Sequence, residues 1–299
     1  MIEVKNLTKI YGSNTALDGI SFSIEKGKIY GFLGQNGAGK STTINIMCST
    51  LSKDSGKVMI NGYDIDRHAS KITRDIGVVF QTSVLDKSLS VYDNLEHRAA
   101  LYGIVGNNFK TRIEELATML DFKDFIKRPV GKLSGGQKRR IDIARALIHS
   151  PKILILDEPT TGLDPQTRAL LWKVISNLQK SEGLTVFLTT HYMEEVADAD
   201  YVIILDSGKI AAEGTPLDLK NRYTGDYINL YGISESDAKS LGVHYKAISG
   251  GYRLFVESTS DISALIASNP SLFADCEVTK GKMDDVFLAV TGKKLTEES

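Results

Sequence analysis

The sequence predicts an α/β protein, with a mainly parallel sheet covered by helices and a small C-terminal α+β module. Three observations predict this fold class: apolar strand-length runs alternate with helical patterns up to about residue 222, the segment at about 90–150 is largely helical, and short alternating strands follow Arg222. An antiparallel β part is expected beside the parallel sheet. We therefore expect a first domain over 1–222, with a helical subdomain at about 90–150, and an accessory domain over 223–299.

The elements of the first domain follow from their apolar patterns. The runs KIYGFLG, KILILD and TVFLTT are typical of strands buried on both faces. Two sets of apolar residues recur at helical spacing: Ile44, Met47, Cys48 and Leu51, and Leu171, Val174, Ile175 and Leu178. In the helical subdomain, TRIEELATML has one apolar face, and Thr111 and Glu114 have the spacing of a capping box, which marks a helix start.

The C-terminal part predicts the element order βαββαβ, which is typical of a small α+β module. DYINLYG alternates as a strand does, SESDAKSLG predicts a short helix, and VHYKAIS-GG-YRLFVE predicts a hairpin around Gly250 and Gly251. SDISALIASNP is helical and DCEVTKG is a short strand. A last helix is predicted over MDDVFLAVTG.

Composition excludes several classes of function. The 299 residues carry a formal net charge of −1, which implies no general attraction to nucleic acid. No apolar run approaches the roughly 20 residues of a membrane-spanning helix. The N-terminus, MIEVKNLTKIYG, has charges where a signal peptide has its apolar core. Cys48 and Cys276 lack metal-ligand spacing, so we expect a cytoplasmic protein that reaches a membrane only through a partner.

A glycine-rich stretch between a predicted strand and a predicted helix carries the strongest chemical signal. GQNGAGKST matches the phosphate-binding loop pattern, and its residues are Gly34, Gln35, Asn36, Gly37, Ala38, Gly39, Lys40, Ser41 and Thr42. Its backbone N–H groups can surround a triphosphate at the start of a helix. Lys40 is expected to reach the β- and γ-phosphates, and the Ser41 hydroxyl is expected to bind Mg²⁺. The fold class is therefore that of a P-loop NTPase.

Two adjacent carboxylates end the buried run ILILDEP. The carboxyl ends of parallel strands meet at one sheet edge, and the phosphate loop leaves its own strand at that same edge. We therefore expect Asp157 to hold the Mg²⁺ shell and Glu158 to accept a proton from an attacking water.

The octet LSGGQKRR has two interpretations from its residues alone. Ser134 is a good helix N-cap, and Gly135 and Gly136 allow a tight turn. The same residues can form an anion site at a helix start, with the basic side chains of Lys138, Arg139 and Arg140 alongside.

These motifs together resemble the nucleotide-binding subunit of an ABC transporter over about residues 2–222. LSGGQ is similar to the signature sequence of that family, and TGLDP is similar to its D-loop, with Asp164 as the matching acid. VVFQ ends in Gln81, which matches the Q-loop glutamine, and TTHYMEE contains His191, which matches the switch histidine. Tyr11 lies where the family has an aromatic ring that stacks on adenine.

The resemblance implies the partners and the roles of the site residues. ATP would be bound between two subunits, so that Ser134, Gly135, Gly136 and Gln137 of one subunit face the γ-phosphate held by the other. A chain with one set of motifs implies a homodimer or a pair with a related subunit. ATP and Mg²⁺ would close this dimer. Gln81 would contribute to the metal site, and His191 would steady the γ-phosphate.

The sequence says less about the process that ATP hydrolysis drives than about the hydrolysis itself. MDDVFLAVTG and THYMEEVADADYVIILDSGKIAAEGTP resemble ATPases of the daunorubicin-resistance class of exporters, which act with a transmembrane permease. This favours export of a drug, a lipid or a polysaccharide-like substrate. An importer ATPase and a soluble ABC ATPase of iron–sulfur assembly or DNA repair are the alternatives.

Overall fold

The computed structural model describes residues 1–256 and 259–292 of the chain. The chain divides into two compact units, Met1–Ala211 and Ala212–Ser299. This division falls ahead of residue 222, where the sequence pattern changes, because the helix Pro216–Tyr223 packs against the helix Met283–Thr291.

The strands between Ile2 and Gly214 form two sheets. They are β1 Ile2–Tyr11, β2 Asn14–Ile24, β3 Ile29–Leu33, β4 Ser55–Ile60, β5 Tyr63–Asp64, β6 Ile76–Val79, β7 Ile153–Asp157, β8 Thr185–Thr190, β9 Tyr201–Asp206 and β10 Lys209–Gly214. A six-stranded sheet has the order β10-β9-β3-β8-β7-β6, and the pairs from β9 to β6 are parallel. A four-stranded antiparallel sheet has the order β2-β1-β4-β5. The predicted parallel sheet with an antiparallel part is confirmed.

The buried strands bring the ends of the predicted motifs to one edge. Every residue of β3, β7 and β8 is buried, because these strands lie inside the sheet with both faces covered. Leu33 pairs with Thr190, and Asp157 pairs with Thr189. Behind this edge the rings of Phe32 and Phe187 pack with centroids 5.2 Å apart. The phosphate loop and the two carboxylates therefore leave the sheet side by side.

The helices of the first unit are α1 Lys40–Met47, α2 Ile65–Asp75, α3 Val91–Ala100, α4 Gly106–Met119, α5 Gly135–Leu147 and α6 Pro165–Glu182. Leu171, Val174, Ile175 and Leu178 are buried on α6, as their spacing predicts. α1 is shorter than its apolar pattern indicates, because it ends at Met47 and Cys48 is its C-cap. Leu51 lies beyond the helix, although Cys48 and Leu51 pack against the same core as Ile44.

The predicted helix start at Thr111 and Glu114 is wrong. α4 begins at Gly106, so both residues lie inside the helix. The earlier start buries Phe109, whose ring packs edge-on against Tyr92 of α3 at 5.2 Å between centroids. Burial of a large aromatic ring contributes more free energy than a capping box, so tertiary packing decides where this helix begins.

The second unit contains the predicted βαββαβ order. Its elements are α7 Pro216–Tyr223, β11 Asp226–Tyr231, α8 Glu235–Ser240, β12 Tyr245–Ile248, β13 Gly251–Val256, α9 Thr259–Ser268, β14 Cys276–Lys280 and α10 Met283–Thr291. The antiparallel sheet has the order β12-β13-β11-β14, which is the split βαβ arrangement. The predicted hairpin is present, with Ile248 paired to Gly251 and Gly250 in the turn at φ +78°.

Across residues 1–256 and 259–292, none of the helices combines the length and the apolar character that spanning a membrane requires.

Candidate nucleotide-binding and hydrolysis site

The loop after β3 has the backbone of a phosphate cradle. Gly37 and Gly39 have φ +82° and φ +107°, which side chains of L-residues rarely allow. A Cβ at Gly39 would lie 2.6 Å from the carbonyl oxygen of Ala16, and a Cβ at Gly34 would lie 2.7 Å from that of Leu205. The glycines therefore allow the loop to turn tightly against neighbouring backbone and into α1.

Lys40 is buried inside this loop. Its Nζ donates to the carbonyl oxygens of Gly34 at 2.6 Å and Gln35 at 3.2 Å, and it lies 3.9 Å from Glu158 Oε1. Burial lowers the pKa of Lys40, and the carboxylates of Glu158 and Asp157 oppose that shift. The loop thus holds the buried Lys40 ammonium group among carbonyl oxygens. Phosphate oxygens could replace these carbonyl oxygens as the hydrogen-bond partners of Lys40.

Asp157 ends β7 beside the start of α1. Its Oδ1 accepts a hydrogen bond from Thr189 Oγ1 at 2.6 Å and lies 3.5 Å from Ser41 Oγ. No cluster of three or more His, Cys, Asp or Glu side chains in the described parts of the chain could hold a metal ion. Mg²⁺ prefers oxygen ligands and commonly takes one or two carboxylates together with substrate phosphates. Asp157, Ser41 and the Gln81 amide oxygen fit such a partial ligand set.

Glu158 lies at the centre of the polar residues at this edge. Gln81 Nε2 donates to Glu158 Oε2 at 3.0 Å, and His191 Nδ1 lies 3.4 Å from Glu158 Oε1. Thr161 Oγ1 donates to Oε2 at 3.4 Å. Glu158 has φ +45°, a left-handed conformation that costs a non-glycine residue roughly 1–2 kcal/mol. A strained backbone at a buried, hydrogen-bonded carboxylate is typical of functional sites.

A cavity of about 380 Å³ opens in front of the phosphate loop. It is lined by Tyr11, Asn14, Ala16, Gln35, Asn36, Gly37, Gly39, Lys40, Ser41, Thr42, Gln81 and Glu158. Tyr11 is 47% exposed, and the Lys9 ammonium lies 5.5 Å from its ring centroid. The structure therefore brings the predicted adenine ring partner to the same cavity as the predicted phosphate and proton-transfer groups. Ala38, Gly34, Asp157 and His191 do not line it.

The signature residues lie elsewhere, and they are not among the residues lining this cavity. Ser134 is the N-cap of α5 and forms a capping box with Gln137, with N–O distances of 3.2 Å and 3.0 Å. A Cβ at Gly136 would lie 2.9 Å from Thr167 Oγ1 and 3.3 Å from Asp164 Oδ2. The signature and Asp164 thus share a second location, at the N-termini of α5 and α6.

Asp164 has its own structural partners. It caps α6 by accepting from the Thr167 N–H at 2.8 Å and from Thr167 Oγ1 at 2.7 Å. These hydrogen bonds lower the pKa of its carboxyl group. A Cβ at Gly135 would meet nothing within 4 Å, so the first turn of α5 is open beside Asp164.

Two of the three basic side chains after the signature, Arg139 and Arg140, are held by other groups than the expected phosphate. Arg139 is buried and donates to main-chain carbonyl oxygens around Glu158, and Arg140 binds the carboxylate of Asp121 at 3.0 Å. The turn of α5 explains the difference, because successive residues of a helix point about 100° apart. Arg139 therefore points into the protein.

Sequence reasoning missed several residues at this edge. Thr189 holds Asp157, and Glu195 is buried nearby with its pKa raised to about 7, chiefly by burial. Thr189 could have been found from the parallel order of β7 and β8, since the strand TVFLTT must end beside ILILD. Arg139 was expected beside an anion site and not behind Glu158, and Glu195 had no sequence signal, because it looks like an ordinary charged residue.

The fold and the site together define a P-loop ATPase. The family model described as ABC transporter matches residues 17–161. The linearmycin resistance ATP-binding protein LnrL of Bacillus subtilis (strain 168) is 40% identical over 240 residues, which are 79% of this chain and 77% of that protein. The daunorubicin resistance ATP-binding protein DrrA3 of Streptomyces coeruleorubidus is 34% identical over 97% of this chain and 96% of its own length. The chain therefore belongs to the ABC transporter family of ATP-binding proteins.

Solved structures agree with this assignment. The ATP-binding cassette MJ0796, in a dimeric post-hydrolysis state bound to ADP and Pi, has a TM-score of 0.68 and 30% identity over 72% of this chain and 99% of that chain. CbiO1 from Clostridium perfringens, part of the ABC transporter complex cbiONQ, has a TM-score of 0.67 and 32% identity over 73% of this chain and 89% of its own. The protein is an ABC ATPase, and its cassette binds and hydrolyses ATP.

Proposed function

We propose that this chain is the ATP-binding subunit of an exporter, and that two subunits close around two MgATP to drive a membrane permease. One observation carries the dimer part of the proposal. The phosphate loop and Glu158 share one cavity, whereas Ser134 and Asp164 lie at another location. A second copy would supply the residues that the first lacks on the open side of its nucleotide.

The proposed hydrolysis uses this chain's own groups for binding, orientation and proton transfer. Lys40 exchanges its carbonyl partners for phosphate oxygens, and Gln81 holds Glu158 through its 3.0 Å hydrogen bond. His191, whose Nδ1 lies 3.4 Å from Glu158 Oε1, would steady the γ-phosphate. Glu158 accepts the proton of the attacking water. Bound Mg²⁺, held by Ser41, Asp157 and Gln81, would neutralise phosphate charge. Most of the rate gain then comes from positioning and charge neutralisation.

Export is favoured by the names of three relatives, two of which match nearly the whole chain. LnrL and DrrA3 are named for resistance to linearmycin and daunorubicin. The Nod factor export ATP-binding protein I of Ralstonia nicotianae is 34% identical over 99% of this chain and 95% of its own length. We propose that the accessory domain at 223–299 is part of this export ATPase, because the matches to DrrA3 and to the Nod factor export protein, at 97% and 99% of the chain, extend into it.

A surface of the helical subdomain has the character of a permease docking site. Leu101 ends α3 and Val105 precedes α4, and these two apolar side chains, four residues apart, are 76% and 60% exposed. Beside Leu101 is a cavity of about 320 Å³ whose lining includes Arg98 and Tyr102. An apolar surface next to a cavity suits a short helix of a partner. This would place the protein at the inner face of the cell membrane through its partner.

The test is purification of the tagged chain from gently solubilised membranes of its own host, with identification of what copurifies. A polytopic membrane protein encoded as an exporter permease would support the proposal. Leu101→Glu should release that partner, while Leu217→Glu, which is also an exposed apolar position at 54% and lies in the second unit, should retain it. Recovery of soluble proteins alone would contradict the proposal, and a permease with a periplasmic binding protein would favour import.

A further inference from the structure

Arg139 makes an unusual set of main-chain contacts for a charged residue. It lies on α5, close behind the signature residues, and is only 7% exposed. Its Nε donates to Pro159 O at 2.7 Å, and one Nη donates to Phe80 O at 2.6 Å. The other Nη donates to Asp157 O at 3.0 Å and Glu158 O at 2.8 Å. One guanidinium therefore holds four carbonyl oxygens from two loops.

Three of these carbonyls belong to consecutive residues around the proposed base. Glu158 has φ +45°, and its N–H donates to Thr189 O at 3.1 Å. A left-handed backbone at a glutamate persists only where its surroundings hold it. Arg139 holds the carbonyl before Glu158, its own and the one after it. The direction of the Glu158 side chain thus depends on the Arg139 guanidinium.

The same helix holds the segment that contains Gln81 from both sides. Arg139 binds the carbonyl oxygen of Phe80, and Asp142 Oδ1 accepts from Ser83 Oγ at 3.0 Å. Between these two contacts, Gln81 Nε2 donates to Glu158 Oε2 at 3.0 Å. A displacement of α5 would therefore move both members of the Gln81–Glu158 pair.

We propose that Arg139 is a positioning residue for ATP hydrolysis. It fixes the backbone positions of Glu158 and Gln81 relative to each other. It also connects both residues to α5, whose first turn carries the signature residues Ser134–Gln137. The inference rests on the proposed role of Glu158 as the base. Arg139 has no contact with the nucleotide cavity, so its effect passes through the backbone of the residues it holds. Contacts that this chain's signature makes with the nucleotide held by a partner subunit would therefore reach Glu158 along this helix.

The experiment compares Arg139→Lys and Arg139→Gln with the neighbouring variant Arg140→Gln. Lysine keeps the charge but donates from a single point, so it cannot span four carbonyls in the planar arrangement of a guanidinium. We expect Arg139→Lys to fold and to bind ATP with a KM within about threefold of wild type, while kcat falls by about tenfold or more. Arg140→Gln, which loses the hydrogen bonds to the carboxylate and the carbonyl oxygen of Asp121 and none around Glu158, should keep the wild-type kcat.

A double-mutant cycle separates positioning from simple support of the fold. Gln81→Ala and Arg139→Lys should together lower kcat by less than the product of their separate losses, because both act on the Gln81–Glu158 pair. Losses that multiply independently would overturn the proposal. It would also be overturned by a kcat within about twofold of wild type in both Arg139 variants, or by a kcat loss that merely equals the fraction of unfolded Arg139→Lys.

Glu158→Gln in the same assay distinguishes the two levels of inference. Inactive Glu158→Gln together with normal Arg139 variants would leave the proposed hydrolysis intact and overturn only the positioning role. Wild-type turnover in Glu158→Gln would overturn both. Three results together would support both proposals: a lowered kcat in Arg139→Lys, no activity in Glu158→Gln, and a combined kcat loss in the double mutant smaller than the product of the separate losses.

Discussion

Replacing Glu158 by glutamine removes the proposed base while preserving the shape of the site. The Glu158 carboxylate accepts from Gln81 Nε2 at 3.0 Å and lies 3.4 Å from His191 Nδ1 and 3.9 Å from Lys40 Nζ. A glutamine side chain can still accept from Gln81 through its amide oxygen. It cannot accept a proton from water. The substitution therefore isolates proton transfer from positioning.

The size of the effect follows from the role. A positioned general base contributes roughly 10²–10⁴-fold to a rate, which corresponds to about 3–5 kcal/mol of barrier. Lys40 reaches a phosphate through the loop at Gly34 and Gln35, not through Glu158, so ATP affinity should not fall. We expect Glu158→Gln to lose at least about a hundredfold in kcat and to accumulate as an MgATP-bound dimer.

The assay is phosphate release at saturating MgATP, with ATP binding and molecular mass measured on the same preparations. Glu194→Gln is the matched control, because Glu194 is an exposed glutamate directly before the buried Glu195. It should hydrolyse ATP as wild type does. Turnover of Glu158→Gln within about threefold of wild type would refute the assignment of Glu158 as the base. A monomer that binds MgATP without dimerising would refute the two-subunit site.

Two other substitutions test the backbone and the buried charge. Gly39→Ala places a Cβ 2.6 Å from Ala16 O, at a residue with φ +107°. We therefore expect strain to lower the free energy of unfolding by about 1–3 kcal/mol and to weaken ATP binding. Gly12→Ala, at φ +59° with nothing near its Cβ, should leave ATP binding intact; equal losses would contradict the role of the cradle. Burial raises the pKa of Glu195 from 4.5 to about 7, against Thr190 and Arg168, which lower it. The folded state therefore binds this proton more tightly, and the free energy of unfolding should fall by about 3 kcal/mol as pH rises from about 4.5 to 7. Glu195→Gln should remove this part of the pH dependence of the free energy of unfolding, measured by urea unfolding between pH 5 and pH 8. An unchanged pH dependence would contradict the raised pKa of Glu195.

Local patterns were sufficient to predict the secondary structure where one physical signal dominated. ILILD and TVFLTT are buried strands because their continuous apolar cores, ILIL and VFL, leave neither face of the strand suited to water. The βαββαβ order of the second unit was predicted because short alternating runs and Gly250 leave few other possibilities. The start of α4 was mispredicted, since the burial of Phe109 against Tyr92 outweighs the local capping pattern.

The predicted site residues fall into two groups in space, which residue order alone could not separate, although the family resemblance implied a separate place for the signature residues. Gly37, Lys40 and Tyr11 share one cavity, while Ser134 and Asp164 lie at the starts of α5 and α6. The order of motifs along a chain does not give the distances between them in the folded protein. Arg139 shows the same limit, because a basic residue beside a signature sequence looks like a phosphate ligand until its helix direction is known.

The amino-acid sequence by itself determined the phosphate loop, the paired carboxylates and the family, because these depend on residue type and spacing over short stretches. The tertiary structure decided which carbonyl oxygens Arg139 holds, the left-handed backbone of Glu158 and the pairing of Gln81 with that carboxylate. These features join α5 and β7 to the segment after β6, and Phe80 of that segment lies 59 residues before Arg139 in the chain. Only packing of the sheet against α5 brings them within hydrogen-bond distance, because directional contacts of about 3 Å require every backbone between them to be in place.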